Sequence, residues 1–380
     1  MGAASGDADR RNGRACRPGP AAVRGLDGAA VAGKAVIRRR HAAAHLAGAA
    51  VAGGTGAGMK LADAMTRGRA NNLHALRLVL AVAVVVSHAW PLALGAGTLE
   101  PLERLTGRSL GGVAVGLFFF LSGLLIAGSA ERQTTAGFWA ARARRLLPGL
   151  AVALVVTLAL AVATGGRPTG SEALTYLARG ITLVSLEHRI PGAFGHVAMP
   201  GIVNGPLWSL SHEVMAYALC WGAVRLGLMR HEAGIAAVLA AALALWAVQG
   251  LPERLEVFAP MFVAFVLGMA AHGLRHYLPL TLPVTLILAL AAPLGWPLAI
   301  ATLGHLALVV AFRLPAHAMR ADLSYGIYIY GWPVAQTLAY LMPGLPAPML
   351  AVASLAAVLP IAWASWTLVE APVLRHRAVA

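Results

Sequence analysis

The sequence predicts an all-α polytopic membrane protein of about ten spanning helices, with both termini cytoplasmic. Three observations predict it. Of 380 residues, 59% are hydrophobic and 12% charged, against roughly 45–50% and about 25% in soluble domains. So little charge argues against a cytosolic enzyme. Second, apolar stretches near the ~20 residues that a bilayer requires recur at 73–94, 110–129, 146–165, 207–228, 233–249, 257–274, 277–292, 294–312, 323–342 and 347–369. A large soluble bundle would need polar helix faces, whereas 151–163 and 233–248 are apolar all round. Third, the charges sort by side. On a ten-span topology, inner connections hold 15 Lys and Arg and outer ones 6, while Glu100, Glu103, Glu172, Glu187, Glu253 and Glu256 all fall outside. This positive-inside pattern accounts for most of the formal +15 charge through the bilayer, without nucleic acid.

Ahead of the spans, residues 1–58 carry nine basic and three acidic residues among mostly Ala and Gly. Such a segment buries too little apolar surface to order itself and is predicted disordered. It lacks the apolar stretch of a secretory signal. It reads as a tail or as translated upstream sequence, with Met59 or Met65 the start and 59–380 the transmembrane domain. Cys16 and Cys220 are too few for a disulfide scaffold or a Cys-rich metal site, and no metal is expected.

The first span reads NNLHALRLVLAVAVVVSHAWPLA. Arg77 lies near its inner end, and His88 follows eleven residues later. That is about 16 Å along the axis and close to three turns, so the two share a helix face. Charges at membrane depth are costly, and each marks a candidate site. The ordinary alternatives are snorkelling for Arg77 and a helix–helix hydrogen bond for His88. The second span, VAVGLFFFLSGLLIAGS, offers small residues and the Ser122 hydroxyl for close packing. Arg142 and Arg145 open the third span, three apart and hence neighbours. Two such guanidiniums form a fork suited to phosphate, or an ordinary inner anchor. The stretch 172–187 is shorter and more polar, as an interfacial or re-entrant helix would be. GPLWSLSHEVMAYAL puts Glu213 about one and a half turns inside the boundary, after Trp208. It reads as a site residue or half of a structural ion pair. His305 reads as a core hydrogen-bonding residue. DLSYGIYIYGWPV places Ser324, Tyr325 and Tyr328 on one segment, as an aromatic belt or a lined cavity. Glu370 sits near the inner end of the last span.

In order along the chain, these pieces resemble the acyltransferase-3 family of membrane O-acyltransferases. They are Arg77 with ten residues and then His88; FFFLSG at 118–123; Arg142 and Arg145 before Pro148; LWSLSHE with Trp208 and Glu213, then Tyr217; SYGIYIYGWP at 324–333; and VEAP with Glu370 and Pro372. Together they span residues 71–372. The NN opening resembles the branch that modifies exopolysaccharide and lipopolysaccharide, in its stand-alone form. The chain departs from the family at His74, where Asp is common, and at Gly331, where many members have His. The second departure points to His88 as the catalytic imidazole.

The resemblance implies transfer of an acyl group, usually acetyl, from cytosolic acyl-CoA to a hydroxyl of an extracytoplasmic carbohydrate, in a bacterial-type inner membrane. It implies acyl-CoA as co-substrate and no bound cofactor. The site expected is His88 as base, with Glu213 orienting it or binding the acceptor. Arg77, Arg142 and Arg145 would hold the CoA phosphates, and Ser122, Trp208, Ser324, Tyr325 and Tyr328 would line the cavity. Direct attack and an acyl-histidine relay both fit. A transporter or flippase of lipid-linked sugars is the alternative, but the Arg–His and Arg–Arg–Pro blocks have no second copy of the kind transporter repeats show.

Overall fold

Side-chain caps fix where several helices begin. The computed structural model describes residues 58–66, 71–183, 189–317, 319 and 321–375; of the expected N-terminal extension, residues 1–57 lie outside these. Helix α1 (Leu61–Thr66) docks through its backbone, with the N–H groups of Leu61 and Ala62 donating to the carbonyls of Leu278 and Arg275 at 2.9 Å each. Helix α2 (Leu73–Leu94) follows Asn72. The Asn72 carboxamide donates to the carbonyls of Leu314 and Pro315 at 3.3 and 3.1 Å and accepts from the N–H of His317 at 2.9 Å. The second Asn of the opening NN pair thus ties the start of α2 to a distant loop. After the short α3 (Pro101–Thr106), Ser109 caps α4 (Leu110–Arg132) and Thr134 caps α5 (Thr135–Ala163), each accepting from the N–H three residues on.

The remaining helices are α6 (Gly170–Thr182), α7 (Trp208–Arg225), α8 (Glu232–Ala247), α9 (Glu253–Gly273), α10 (Leu282–Ala291), α11 (Trp296–Arg313), α12 (Ser324–Leu341), α13 (Ala347–Ser365) and α14 (Ala371–Arg375). A π-helical turn, Trp366–Glu370, joins the last two. A helix stands at each of the ten intervals expected to span, with two shifts of boundary. The third begins at Thr135 rather than 146, because the Thr134 cap starts it upstream and the arginines continue it. The seventh is only 10 residues, because the chain before it is extended and pairs Pro279 with Lys60. Among the described residues, six helices are long and apolar enough to cross a membrane: α2, α4, α5, α9, α11 and the run Ala347–Arg375. The protein is a multi-pass membrane protein. Leu286, Leu290, Val352 and Leu368 are exposed, as lipid-facing side chains are.

Helices α7 and α12 reach 18 residues but are less apolar. Their place in the bundle explains this. Every residue of α12 from 324 to 333 is buried, against α2, α5 and α13. Its polar groups face protein instead of lipid. At the centre, α4 and α9 cross at backbone contact. A Cβ on Gly123 would strike the Phe265 carbonyl, and one on Gly268 the Phe120 carbonyl. Small residues at facing positions permit such an approach.

Candidate functional site

One cavity opens beside α2 at Arg77 and another at His88. Arg77 lines the first, of about 40 Å³, with Phe118, Ser209, Glu213, Ser324 and Tyr325. His88 lines the second, of about 290 Å³, with Ser87, Glu100, Glu103, Ser109 and Trp208. Val115 and Tyr328 line both, so these two side chains separate the chambers. The Tyr328 hydroxyl donates to the Pro206 carbonyl at 3.1 Å and shares a short hydrogen bond with Ser209 Oγ. The partition is therefore pinned to the start of α7.

The His88 ring meets that of Trp332 in a T-shaped contact, with centroids 5.1 Å apart. It faces a chamber, not lipid. Glu213 lies in the Arg77 chamber. Its Oε1 accepts hydrogen bonds from Ser122 Oγ at 3.0 Å and from the Tyr217 hydroxyl. The structure therefore does not bring Glu213 to His88. It brings Glu213 to Arg77, and Ser122 serves Glu213. Of the other expected cavity residues, Trp208 lines the His88 chamber, and Ser324 and Tyr325 line the Arg77 chamber.

The three arginines part company. Arg145 donates to Asp322 Oδ2 at 2.6 Å, lies 3.5 Å from Glu370 Oε2 and packs over the Tyr325 ring. The π-helical turn at 366–370 carries Glu370, which Ser365 Oγ also bonds at 3.0 Å. Arg142 instead lies over the rings of Phe138 and Tyr217. Arg77 lies over Phe118. The Nε atoms of Arg77 and Arg142 are buried without a hydrogen-bond partner. Thus the neighbours Arg142 and Arg145 do not present one shared fork. Arg145 is neutralised by carboxylates, whereas Arg77 and Arg142, from different helices, keep donors in reserve.

Asp322 also meets His74 Nδ1 at 3.6 Å. Burial opposes its ionisation. The His74 hydrogen bond and the charges of Arg145 and Arg77 prevail and hold its carboxyl well below the usual range. The His74 that stands where an Asp was expected thus pairs with Asp322 from the loop before α12. Glu100 is nearly fully buried and accepts from the N–H of Leu110, the first residue of α4. Burial pushes its carboxyl up, against a hydrogen bond from Ser87. Sequence reasoning counted Glu100 and Glu103 only as outer-side charges. Their signal was weak, since a loop carboxylate reads as solvated until a cavity is found beside it.

The acyltransferase-3 family model, described as an acyltransferase domain, matches residues 71–367. Nodulation protein 10 of Rhizobium leguminosarum bv. viciae is 28% identical over 360 residues, covering 82% of this chain and 95% of that one. An O-acetyl transferase of Shigella phage Sf6 is 29% identical over 331 residues, covering 80% and 95%. No solved structure matches. The match runs from just before α2 to the π-helical turn and takes in both chambers: the chain belongs to the acyltransferase-3 family and is a membrane acyltransferase.

Proposed function

We propose that this acyltransferase moves an acyl group, acetyl in the simplest case, from cytosolic acyl-CoA to a hydroxyl of an extracytoplasmic carbohydrate. It does so in a bacterial inner membrane, on ten spans with both termini cytoplasmic. The positive-inside asymmetry supports that orientation, because it puts the Arg77 end of α2 on the cytosolic side. The name of the phage relative supports acetyl as the group. Membership of an acyltransferase family sets the transporter alternative aside.

One observation carries the reading. The chamber of a cation and the chamber of an imidazole, about 16 Å apart along α2, meet at Tyr328 and Val115. On this reading Arg77 and Arg142 grip the donor phosphates, since their buried Nε donors await acceptors. Glu213 orients the two cations, and Arg145 positions the helices around them. The thioester reaches past the partition, and the acceptor hydroxyl enters the His88 chamber. The hydroxyl oxygen attacks the thioester carbonyl while His88 takes its proton. The carbon–sulfur bond breaks, the thiolate of CoA leaves and takes a proton, and the ester forms. In the relay version His88 attacks first and the sugar hydroxyl then displaces it.

The test is mass spectrometry of cell-surface glycans from cells expressing wild type, His88→Ala or no copy of the gene. The expected result is an ester present in wild type and absent from the other two, at equal protein in the membrane. A general base contributes about 10²–10⁴-fold, so His88→Ala should fall below detection. A wild-type level of ester in that variant would remove His88 as the base.

A further inference from the structure

Of the two carboxylates in the His88 chamber, Glu100 is occupied. It caps the first N–H of α4 and receives Ser87. It holds the wall of the chamber. Glu103 lines the same chamber, and no side-chain partner for it occurs among the described residues. No Lys or Arg lines the chamber. Two cations of the same connecting segment as Glu103, Arg104 and Arg108, are turned elsewhere. Arg104 Nε donates to the Leu99 carbonyl, and the Arg108 guanidinium packs over the Trp296 ring at 4.7 Å. The chamber therefore holds two carboxylates in Glu100 and Glu103, one broad ring in Trp208, and the His88 imidazole. Its 290 Å³ is at the lower end of small-ligand sites, enough for one ring and not for a long chain.

We infer that this chamber is the acceptor subsite and takes a sugar residue that carries no negative charge, with Glu103 accepting hydrogen bonds from its hydroxyls. This rests on the reading of the protein as a carbohydrate acyltransferase. A carboxylate accepts short, charge-assisted O–H···O bonds and has room for two hydroxyls at once. The Trp208 ring supplies a flat apolar surface for the carbon–hydrogen face of the ring. A uronate, sialate or phosphorylated residue would bring its charge against the Glu103 carboxylate in a chamber that no Lys or Arg lines. Such like-charge contact is the means by which a site rejects a wrong ligand. His88 then stands at the hydroxyl left uncovered by Glu103, which is the one acylated.

The experiment locates the ester by fragmentation of the surface glycan from cells carrying wild type, Glu103→Gln, Glu103→Asp or no gene, with membrane protein levels matched. Glu103→Gln keeps the shape and breaks no bond of the fold. The expected result is a gene-dependent ester on a residue without negative charge, at least tenfold lower in Glu103→Gln and partly restored in Glu103→Asp. An ester on an anionic sugar residue overturns the inference and leaves the acyltransferase reading standing, as does wild-type occupancy in Glu103→Gln. If no gene-dependent ester occurs in any glycan, the carbohydrate reading fails, and this subsite with it. Should Glu103→Gln not accumulate, the identity of the esterified residue in wild type still decides.

Discussion

At the scale of single residues, two arginines three positions apart do different work. The spacing of Arg142 and Arg145 on one helix was readable from the sequence, but not their partners, because those come from distant loops. Asp322 and Glu370 reach Arg145 from before α12 and after α13, whereas Arg142 lies over the rings of Phe138 and Tyr217. The substitutions should therefore separate. Arg142→Ala should raise the KM for acyl-CoA at least several-fold and leave the thermal stability of the purified protein near wild type. Arg145→Ala should strand two carboxylates, at a cost of about 3–5 kcal/mol for breaking a buried pair, read as a lower unfolding temperature in detergent. The Asp322 partner gives this a pH signature. Its folded-state pKa is held below the unfolded value. The stability it adds is complete above about pH 4 and is lost as the pH falls further. The stability gap between wild type and Asp322→Asn should be full at pH 7 and close in acid. A gap independent of pH would mean that the pair with Arg145 contributes nothing.

At the scale of elements, apolar runs read from the sequence lie within a few residues of the helices, since length and hydropathy are local properties. The misplaced start of α5 traces to the Thr134 cap, a local signal that hydropathy does not register, and the short α10 to a non-local extended pairing. The same pairing bears on the N-terminus. Leu61 and Ala64 are fully buried, and the Met59 carbonyl accepts from Leu280 at 2.9 Å. Helix α1 is thus part of the folded body, although in sequence it looked like a mere approach to the first span. A chain starting at Met59 should keep wild-type stability and transfer. One starting at Met65 loses the burial of Leu61, worth about 1.5–3 kcal/mol, and the hydrogen bonds to the carbonyls of Leu278 and Arg275. It should accumulate less in the membrane and unfold at lower temperature. Equal behaviour of the two truncations would show that α1 adds no stability, and a loss of transfer from Met59 onward would give the first 58 residues a function.

At the scale of the whole molecule, the sequence placed Arg77 and His88 on one face of one helix but could not divide the space beside that face. A helix face says which residues point together and not which other helices surround them. Hence Glu213, five residues after Trp208 in the motif, sits with Arg77, while Trp208 sits with His88. The division falls at Tyr328 and Val115, and its consequence is chemical. On the proposed reading, an acyl thioester that must meet a hydroxyl in the His88 chamber needs a barrier that keeps water from it until the acceptor arrives. Tyr328 belongs to that barrier and is held there by its hydroxyl, through Pro206 and Ser209. Removing the hydroxyl in Tyr328→Phe loosens the tie and keeps the ring, and Ser209 still bonds the Pro206 carbonyl at 3.2 Å, so folding should be little affected. Removing the ring in Tyr328→Ala joins the chambers. Thiol released per ester formed should be near one in wild type, rise slightly in Tyr328→Phe and rise well above one in Tyr328→Ala, as water takes the acyl group. If the ratio stays at one in both variants while transfer continues, the partition is not at Tyr328 and the thioester is shielded by another part of the bundle.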